Sequence, residues 1–523
     1  MSPAARHVLV VGGGNAGLCA AIAAREAGAR VTVLEAAPPD RAGGNSAFTA
    51  GLMRVVFDGL DDIRALDPDL TDDEVAGTNF GTYTRQAFLD DLGRVTEYRC
   101  DPDLAEVLVS RSHPTLVWMR EHGVRFVPAY GRQAFKVDGK FTFWGGVAFE
   151  VAGGGPGLVG ALTGEAIRLG VAISYASRAQ SLLRDDTGVH GARARLDGTS
   201  QDVVADAVVL AAGGFQANAE WRTRYLGPGW DLAKVRGTRY DTGDGIRMAL
   251  EIGASSAGNW SGCHAVGWDL NAPEFGDLAV GDGFQKHSYP FGIVVNARGE
   301  RFLDEGADFR NFTYAKYGRV VLLQPGQFAW QVFDGRVTHL LRDEYRIRRV
   351  TKVTAETLEE LAHKMDGVDA DGFLRTVHEY NAAIAVDVPF DPNVLDGRGT
   401  SGVDPPKSNW ANRIDTPPFE AYAITCAITF TFGGLRIDPN ARVIDVDGAP
   451  IRSLYACGEM AAGIFYFNYP GGSGLTAGAV FGRIAGQNAA SQPLPQGSPA
   501  PGMSTGSTAI APSGSGLRSR FPI

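Results

Sequence analysis

The sequence predicts an α/β fold in which a domain opened by a βαβ unit is interrupted by an inserted α+β domain and followed by a disordered tail. Three observations carry that expectation. A glycine-rich turn, Gly12-Gly13-Gly14-Asn15-Ala16-Gly17, stands between an apolar run and an Ala-rich stretch. Aromatic and charged residues become denser between about 260 and 430. Glycine is also in excess, at 68 of 523 residues, where average usage gives about 37. A wholly disordered chain is excluded, because 44% hydrophobic and 10% aromatic residues fill a core. Collagen is excluded by the lack of a G-X-Y period. The surplus glycines therefore belong at particular backbone positions.

Taken in order, His7–Val11 reads as a strand, Ala16–Ala27 as a helix stopped by Gly28, and Val31–Leu34 as a second strand. From Val171 to Leu210 come short β-rich runs parted by Thr187-Gly188 and Asp197-Gly198 turns, ending in the apolar strand Ala207–Ala212. In the insertion, one helical stretch is expected from Thr357 to about Ala385. Leu435–Ile451 reads as a hairpin and Ser473–Ala490 as a Gly/Ala-rich helix. Residues 491–523 hold 7 Ser, 6 Pro and 5 Gly without periodicity and are expected to be disordered, so the tail does not account for the glycines.

A net charge of −10 argues against a nucleic-acid partner. The five cysteines are scattered and form no C-x-x-C, which argues against a disulfide scaffold, a zinc site or an iron–sulfur cluster. No metal is expected. No apolar run reaches about 18 residues, so no membrane span is expected. No signal peptide is read before the first strand, and a reducing cytoplasm is the default compartment.

The glycine turn is G-x-G-x-x-G, which makes the first domain Rossmann-like. Gly12 permits the tight turn, Gly14 lets a pyrophosphate approach the backbone, and Gly17 allows close helix–strand packing. The N–H groups at Asn15 and Ala16 then open a helix whose positive end faces the phosphates. Glu35 ends the second strand, eighteen residues beyond Gly17, where it accepts hydrogen bonds from a ribose diol. Gly43-Gly44-Asn45-Ser46 follows closely. Far along the chain, a strand ends in Gly458-Glu459 and a helix starts at Gly474-Leu475. Ala212-Gly213 and the turn holding Asp244 add further points to the cradle. Such distant Gly-rich ends suit one extended ligand, FAD rather than NAD, and the late helix start stabilises negative charge on a reduced flavin.

The sequence resembles the fumarate reductase/succinate dehydrogenase flavoprotein family. The segments that carry the resemblance are VLVVGGGNAGLCAAIAAREAGARVTVLE, GGNS, VVLAAGGF, TGDGIRMALEIGA, VVNARGERFLDE, FTFGGLRID and LYACGEMAAGIFYFNYPGGSGLTAGAVFGRIAG. HVLVVGGGNAGLCAAI, GADFRNFTYAKYGR and FYFNYPGGSGL are most similar to tricarballylate dehydrogenases. The resemblance implies a glutathione-reductase-type FAD domain of residues 1–258 and 431–490, with a capping domain at 259–430 over the flavin. Members that attach FAD covalently use a histidine after GG-S; here Phe48 stands in that region, which implies non-covalent FAD. The resemblance also implies a separate protein as electron acceptor.

By the same resemblance Arg310, after Asn296–Glu305, matches the arginine proton donor of fumarate reductases, and His264 matches a substrate histidine. Two positions depart from that pattern, with Phe430 where a second histidine is expected and Tyr469 where a second arginine is expected. Tyr469-Pro470-Gly471 resembles 3-ketosteroid Δ1-dehydrogenases, in which a tyrosine polarises a carbonyl, although their base tyrosine corresponds to Phe309. Arg310, His264 and Tyr469 are therefore the catalytic candidates, with Tyr314, Tyr469 or His287 as the base of a dehydrogenase, because arginine is a poor base. The implied activity is C–C desaturation or its reverse beside a carboxylate or carbonyl, with tricarballylate to cis-aconitate first. A ketosteroid-like desaturase, a fumarate-type reductase and a non-catalytic electron-transfer subunit are the alternatives.

Overall fold

The computed structural model describes residues 5–144, 146 and 149–491, so the expected disordered tail lies outside the described residues apart from Ser491. The elements that build the site are, in chain order, β1 (His7–Val11), α1 (Asn15–Glu26), β2 (Arg30–Leu34), β3 (Ala172–Ser174), β4 (Ala207–Leu210) and β5 (Ser256–Asp269). They continue with α2 (Tyr314–Leu322), β6 (Phe328–Phe333), β7 (Phe419–Leu435), β8 (Arg442–Ile444), β9 (Pro450–Ala456) and α3 (Ser473–Ser491).

Val8 to Val11 are all apolar and all buried, the pattern of a strand covered on both faces. β1 accordingly sits inside a six-stranded sheet of order β8-β9-β4-β1-β2-β3. It pairs in parallel with β4 and β2, and only the edge strand β8 runs antiparallel. The turn leaving β1 needs its glycines. Gly12 has φ +110°, and a Cβ there would lie 2.3 Å from the Ala211 carbonyl oxygen. A Cβ on Gly17 would lie 2.0 Å from the Gly12 carbonyl. On the other side of α1, Cβ atoms on Gly482 and Gly486 of α3 would fall 2.3 and 2.1 Å from the carbonyls of Ala16 and Ala20. The two helices thus meet backbone to backbone.

β7 is the spine of a second sheet. It pairs antiparallel with β5 from Ser256↔Leu435 to Asp269↔Ile424, and also with β6 and Lys352–Ala355. β5 and β7 run through residues 258 and 430, the expected bounds of the insertion, as neighbouring strands of one sheet. Their register shifts between Asn259 and Cys263 and again between His264 and Ala265. Such irregularities re-aim side chains, and here they flank His264.

Three expectations are corrected. The single helix from Thr357 to Ala385 is two, Leu358–Lys364 and Ala370–Ala383, parted near Gly367 at φ +77°. The strand expected to reach Ala212 stops at Leu210, and Ala212-Gly213 turns into the cavity. The Leu435–Ile451 hairpin is displaced: Leu435 ends β7, and the hairpin is β8 with β9. Among the described residues, no helix is long and apolar enough to cross a membrane.

Candidate active site

A continuous cavity of about 240 Å³ runs from the turn after β1 to the face of the second sheet. Its walls include Gly12, Gly14, Asn15, Ala16, Glu35, Gly44, Asn45, Ser46, Ala212, Gly213, Asp244, Gly458, Glu459, Gly474 and Leu475. Two of the residues expected there stand behind the wall. Gly17 packs on the turn itself, and Gly43, at φ +105°, lies against Val159.

No side chain caps the start of α1. The Asn15 N–H donates to Ser46 Oγ at 3.1 Å, and Asn15 Nδ2 donates to the Leu475 carbonyl at 2.8 Å, which ties the starts of α1 and α3 together. Glu35 accepts from the Gly13 N–H at 2.7 Å and the Ala37 N–H at 2.8 Å. A carboxylate has about four acceptor sites, so Glu35 keeps room for a diol. Burial raises its pKa, and the two N–H donors oppose that rise. On the opposite wall, the Gln216 amide donates to both Asp241 at 2.7 Å and Glu459 at 3.1 Å. Glu459 also accepts from the Thr431 N–H at 2.8 Å. Burial pushes Glu459 up to about 7, and burial with the neighbouring Glu459 raises Asp241 well above the usual carboxylate range.

At the far end the cavity meets the second sheet. His264 and Phe430 are register partners on β5 and β7, and both line the cavity. The His264 ring is packed by Tyr469 at 4.8 Å, Tyr314 at 4.9 Å and Phe430 at 5.1 Å. Among the described residues neither ring nitrogen has a hydrogen-bond partner, and burial holds its pKa well below the usual histidine value, so it is neutral. The Tyr314 and Tyr469 hydroxyls hydrogen-bond to each other. Burial raises both phenols, so they are donors rather than phenolates at neutral pH. The structure therefore brings Arg310, His264 and Tyr469 to one cavity, with Tyr314 and His287 between them.

Arg310 donates to the Arg132 carbonyl, and its Nη1 lies 3.5 Å from His287 Nδ1. Its acidic sequence neighbours are engaged elsewhere. Asp308 pairs with Arg94, Glu305 with Arg301, and Asp304 with Ser408. Burial keeps His287 neutral, assisted by the Arg310 charge. Sequence reasoning missed Arg236, which pairs with the buried Asp282 through Nε at 2.8 Å. It also missed Arg132, Arg342, Gln216 and Asp241. Arg236 stands close to the TGDG turn, which was its one signal; Arg132 and Arg342 belong to no motif.

An uncapped helix start, a glycine cradle, an acid at the end of β2 and a second helix start at the far wall define a dinucleotide-binding flavoprotein. Comparison with known proteins agrees. The chain belongs to the FAD-binding family described as "FAD binding domain", whose model matches residues 7–475. It is an FAD-dependent oxidoreductase. It is 30% identical to a probable fumarate reductase of Shewanella frigidimarina, over 93% of this chain and 75% of that protein. A flavocytochrome c3 fumarate reductase in its open conformation superposes with a TM-score of 0.68 at 28% identity, over 94% of this chain and 79% of that one. A 3-ketosteroid-Δ4-(5α)-dehydrogenase of Rhodococcus jostii, in complex with 4-androstene-3,17-dione, also gives a TM-score of 0.68. Its identity is 25%, over 94% of this chain and 98% of that one.

Proposed function

We propose that the chain adds or removes hydrogen across a carbon–carbon bond beside a carboxylate or carbonyl. The observation that carries this is the meeting of Arg310, His264 and the Tyr314–Tyr469 pair at one end of the FAD cradle. Bound FAD supplies a hydride acceptor or donor. Gly12, Gly14, Asn15, Ala16 and Glu35 would hold its adenosine and phosphates, and Gly458, Glu459, Gly474 and Leu475 its other half. The protein supplies what the adjacent carbon needs. Its proton is acidic only when the neighbouring carbonyl or carboxylate is stabilised as it gains enolate character. The phenol pair and neutral His264 donate to that oxygen, while Arg310 contributes a fixed positive charge. The aromatic ceiling of Phe430, Tyr469 and Phe465 excludes water from the bond.

Within this class, tricarballylate oxidised to cis-aconitate is the named substrate pair that the sequence resemblance supports, with a separate protein as electron acceptor. A second reading, a carbonyl-activated desaturase, is favoured by the phenol pair, which takes the place of a fumarate-type cation. Arg310→Ala should retain FAD, read from its visible absorbance, and lose anaerobic bleaching by substrate. Unchanged bleaching kinetics would sink the role of Arg310. A lack of bleaching by any carboxylate or enone would favour an electron-transfer subunit without catalysis of its own.

A further inference from the structure

We propose that an ion network, Arg54–Asp91–Arg94–Asp308, grips the Phe312 ring and fixes Arg310 and Tyr469 relative to each other, as a positioning clamp for the reaction proposed above. The proposal rests on that reading for the roles of Arg310 and Tyr469. None of the four network residues lines the cavity, so they act through the two that do. Arg310 and Tyr469 come from separate segments, and these segments are bonded directly. Asn468 Nδ2 donates to the Phe312 carbonyl at 2.6 Å, and the Gly471 N–H donates to the Asn311 carbonyl at 2.8 Å. A Cβ on Gly471 would lie 3.1 Å from that carbonyl oxygen and 3.2 Å from the Tyr314 ring, so the contact has no room for a side chain.

Arg54 stands behind this contact and is fully buried. Its Nε donates to the Gly471 carbonyl at 2.8 Å and its backbone N–H to the Gly472 carbonyl at 3.0 Å, while its own carbonyl accepts from Thr476 Oγ1 at 2.8 Å. Arg54 thereby holds the segment of Tyr469 and the start of α3. The same guanidinium reaches the segment of Arg310, lying 5.2 Å from the centre of the Phe312 ring, with Tyr83 and Phe88 packed on it at 5.0 and 5.9 Å. Its Nη1 and Nη2 have no hydrogen-bond partner among the described residues, and these aromatic faces take the place of acceptors.

Arg94, on the helix Arg85–Val95, also packs on Phe312, at 4.7 Å. Asp91 joins the two cations, 3.6 Å from Arg54 Nη1 and 3.2 Å from Arg94 Nη2, and accepts from the Tyr83 hydroxyl at 2.7 Å. Arg94 Nη1 then pairs with Asp308 at 2.5 Å. Two guanidiniums meet two carboxylates, so the network is balanced in charge. Its value does not lie in stability. An ion pair as exposed as Arg94–Asp308, with 49% of the arginine side chain open, contributes little, and burying the Arg54 charge is costly. What directional bonds supply is geometry, and a displacement of about 1 Å between reacting groups costs about 100-fold in rate.

The test compares the FAD-loaded enzyme with Arg94→Gln. Hydrogen exchange of peptides covering 306–313 and 466–473, read without substrate, should quicken by about 5-fold in both segments together. After reduction with dithionite and anaerobic mixing with fumarate or cis-aconitate, the limiting rate of flavin reoxidation should fall by about 10-fold. The half-saturating concentration should change by less than about 2-fold, with FAD content unchanged. Asp308→Asn keeps the acceptor for the Phe309 N–H and should give the same pattern; the double variant should lose no more than either single one. Arg85→Gln breaks a pair with Glu106 on the same helix and should leave exchange and rate unchanged. Quickened exchange in 306–313 alone overturns the clamp, as do additive losses in the double variant or an unchanged limiting rate. Asp308→Asn decides these points where Arg94→Gln does not fold. Reoxidation by neither acid would sink the C=C reading instead, and the exchange pattern would still decide the clamp.

Discussion

Glu459→Gln tests the electrostatics of the cradle through stability rather than turnover. Glu459 shares the Gln216 amide with Asp241, and among the described residues no cation pairs with either carboxyl. Burial raises Glu459 from 4.5 to about 7. An acid with a raised pKa in the folded state holds its proton more tightly there than in the unfolded chain. Its stabilising contribution is therefore complete below about pH 4.5 and is lost as pH rises through about 7. At 1.36 kcal/mol per pKa unit, that rise corresponds to about 3 kcal/mol. This is an upper figure, because the carboxyl opens on the cavity. The glutamine keeps an acceptor for the Thr431 N–H but turns an amide NH₂ toward Gln216, a cost of about 1 kcal/mol that does not depend on pH. Urea unfolding of the FAD-loaded protein between about pH 5 and pH 8 separates the two effects. The unaltered protein should lose up to about 3 kcal/mol more than the variant across that range. Parallel stability curves would refute the raised pKa of Glu459.

Further perturbations probe the other parts. Tyr469→Phe removes the hydroxyl bonded to Tyr314 while keeping the ring; substrate-dependent flavin reduction should slow by about 100-fold with FAD content unchanged, measured by stopped flow. Unchanged rates would exclude a donor role. Gly482→Leu forces a side chain into the Ala16 carbonyl; it should cost about 1–3 kcal/mol and reduce flavin retention on gel filtration, because α1 carries the proposed phosphate-binding turn. A fully flavinated variant with an unshifted melting temperature would contradict that packing. Asp282→Asn leaves Arg236 buried without its ion-pair partner and should lower stability by about 3–5 kcal/mol in urea unfolding.

What the sequence makes legible here is what is contiguous in it. The turn after β1, the acid at Glu35 and the late Gly458-Glu459 and Gly474-Leu475 ends each lie inside one short segment, so residue type and spacing state their geometry directly. The cationic end has no such segment. Arg132, Arg236, Arg310 and Arg342 come from four separate stretches, and their partners follow the fold rather than the sequence. Asp304, Glu305 and Asp308 stand beside Arg310 in the chain and invite an ion pair, yet Ser408, Arg301 and Arg94 take them. That diversion leaves the Arg310 Nε–H without a partner among the described residues. The glycine surplus divides in the same way. Gly12 and Gly14 line the cavity as their motif says, whereas Gly482 and Gly486 serve the contact between α1 and α3, which composition alone cannot distinguish from a cofactor cradle. The two uses are nevertheless coupled. The contact that needs Gly482 and Gly486 anchors α1, and the first turn of α1 is the one proposed to face the phosphates, so helix packing and cofactor affinity should fail together.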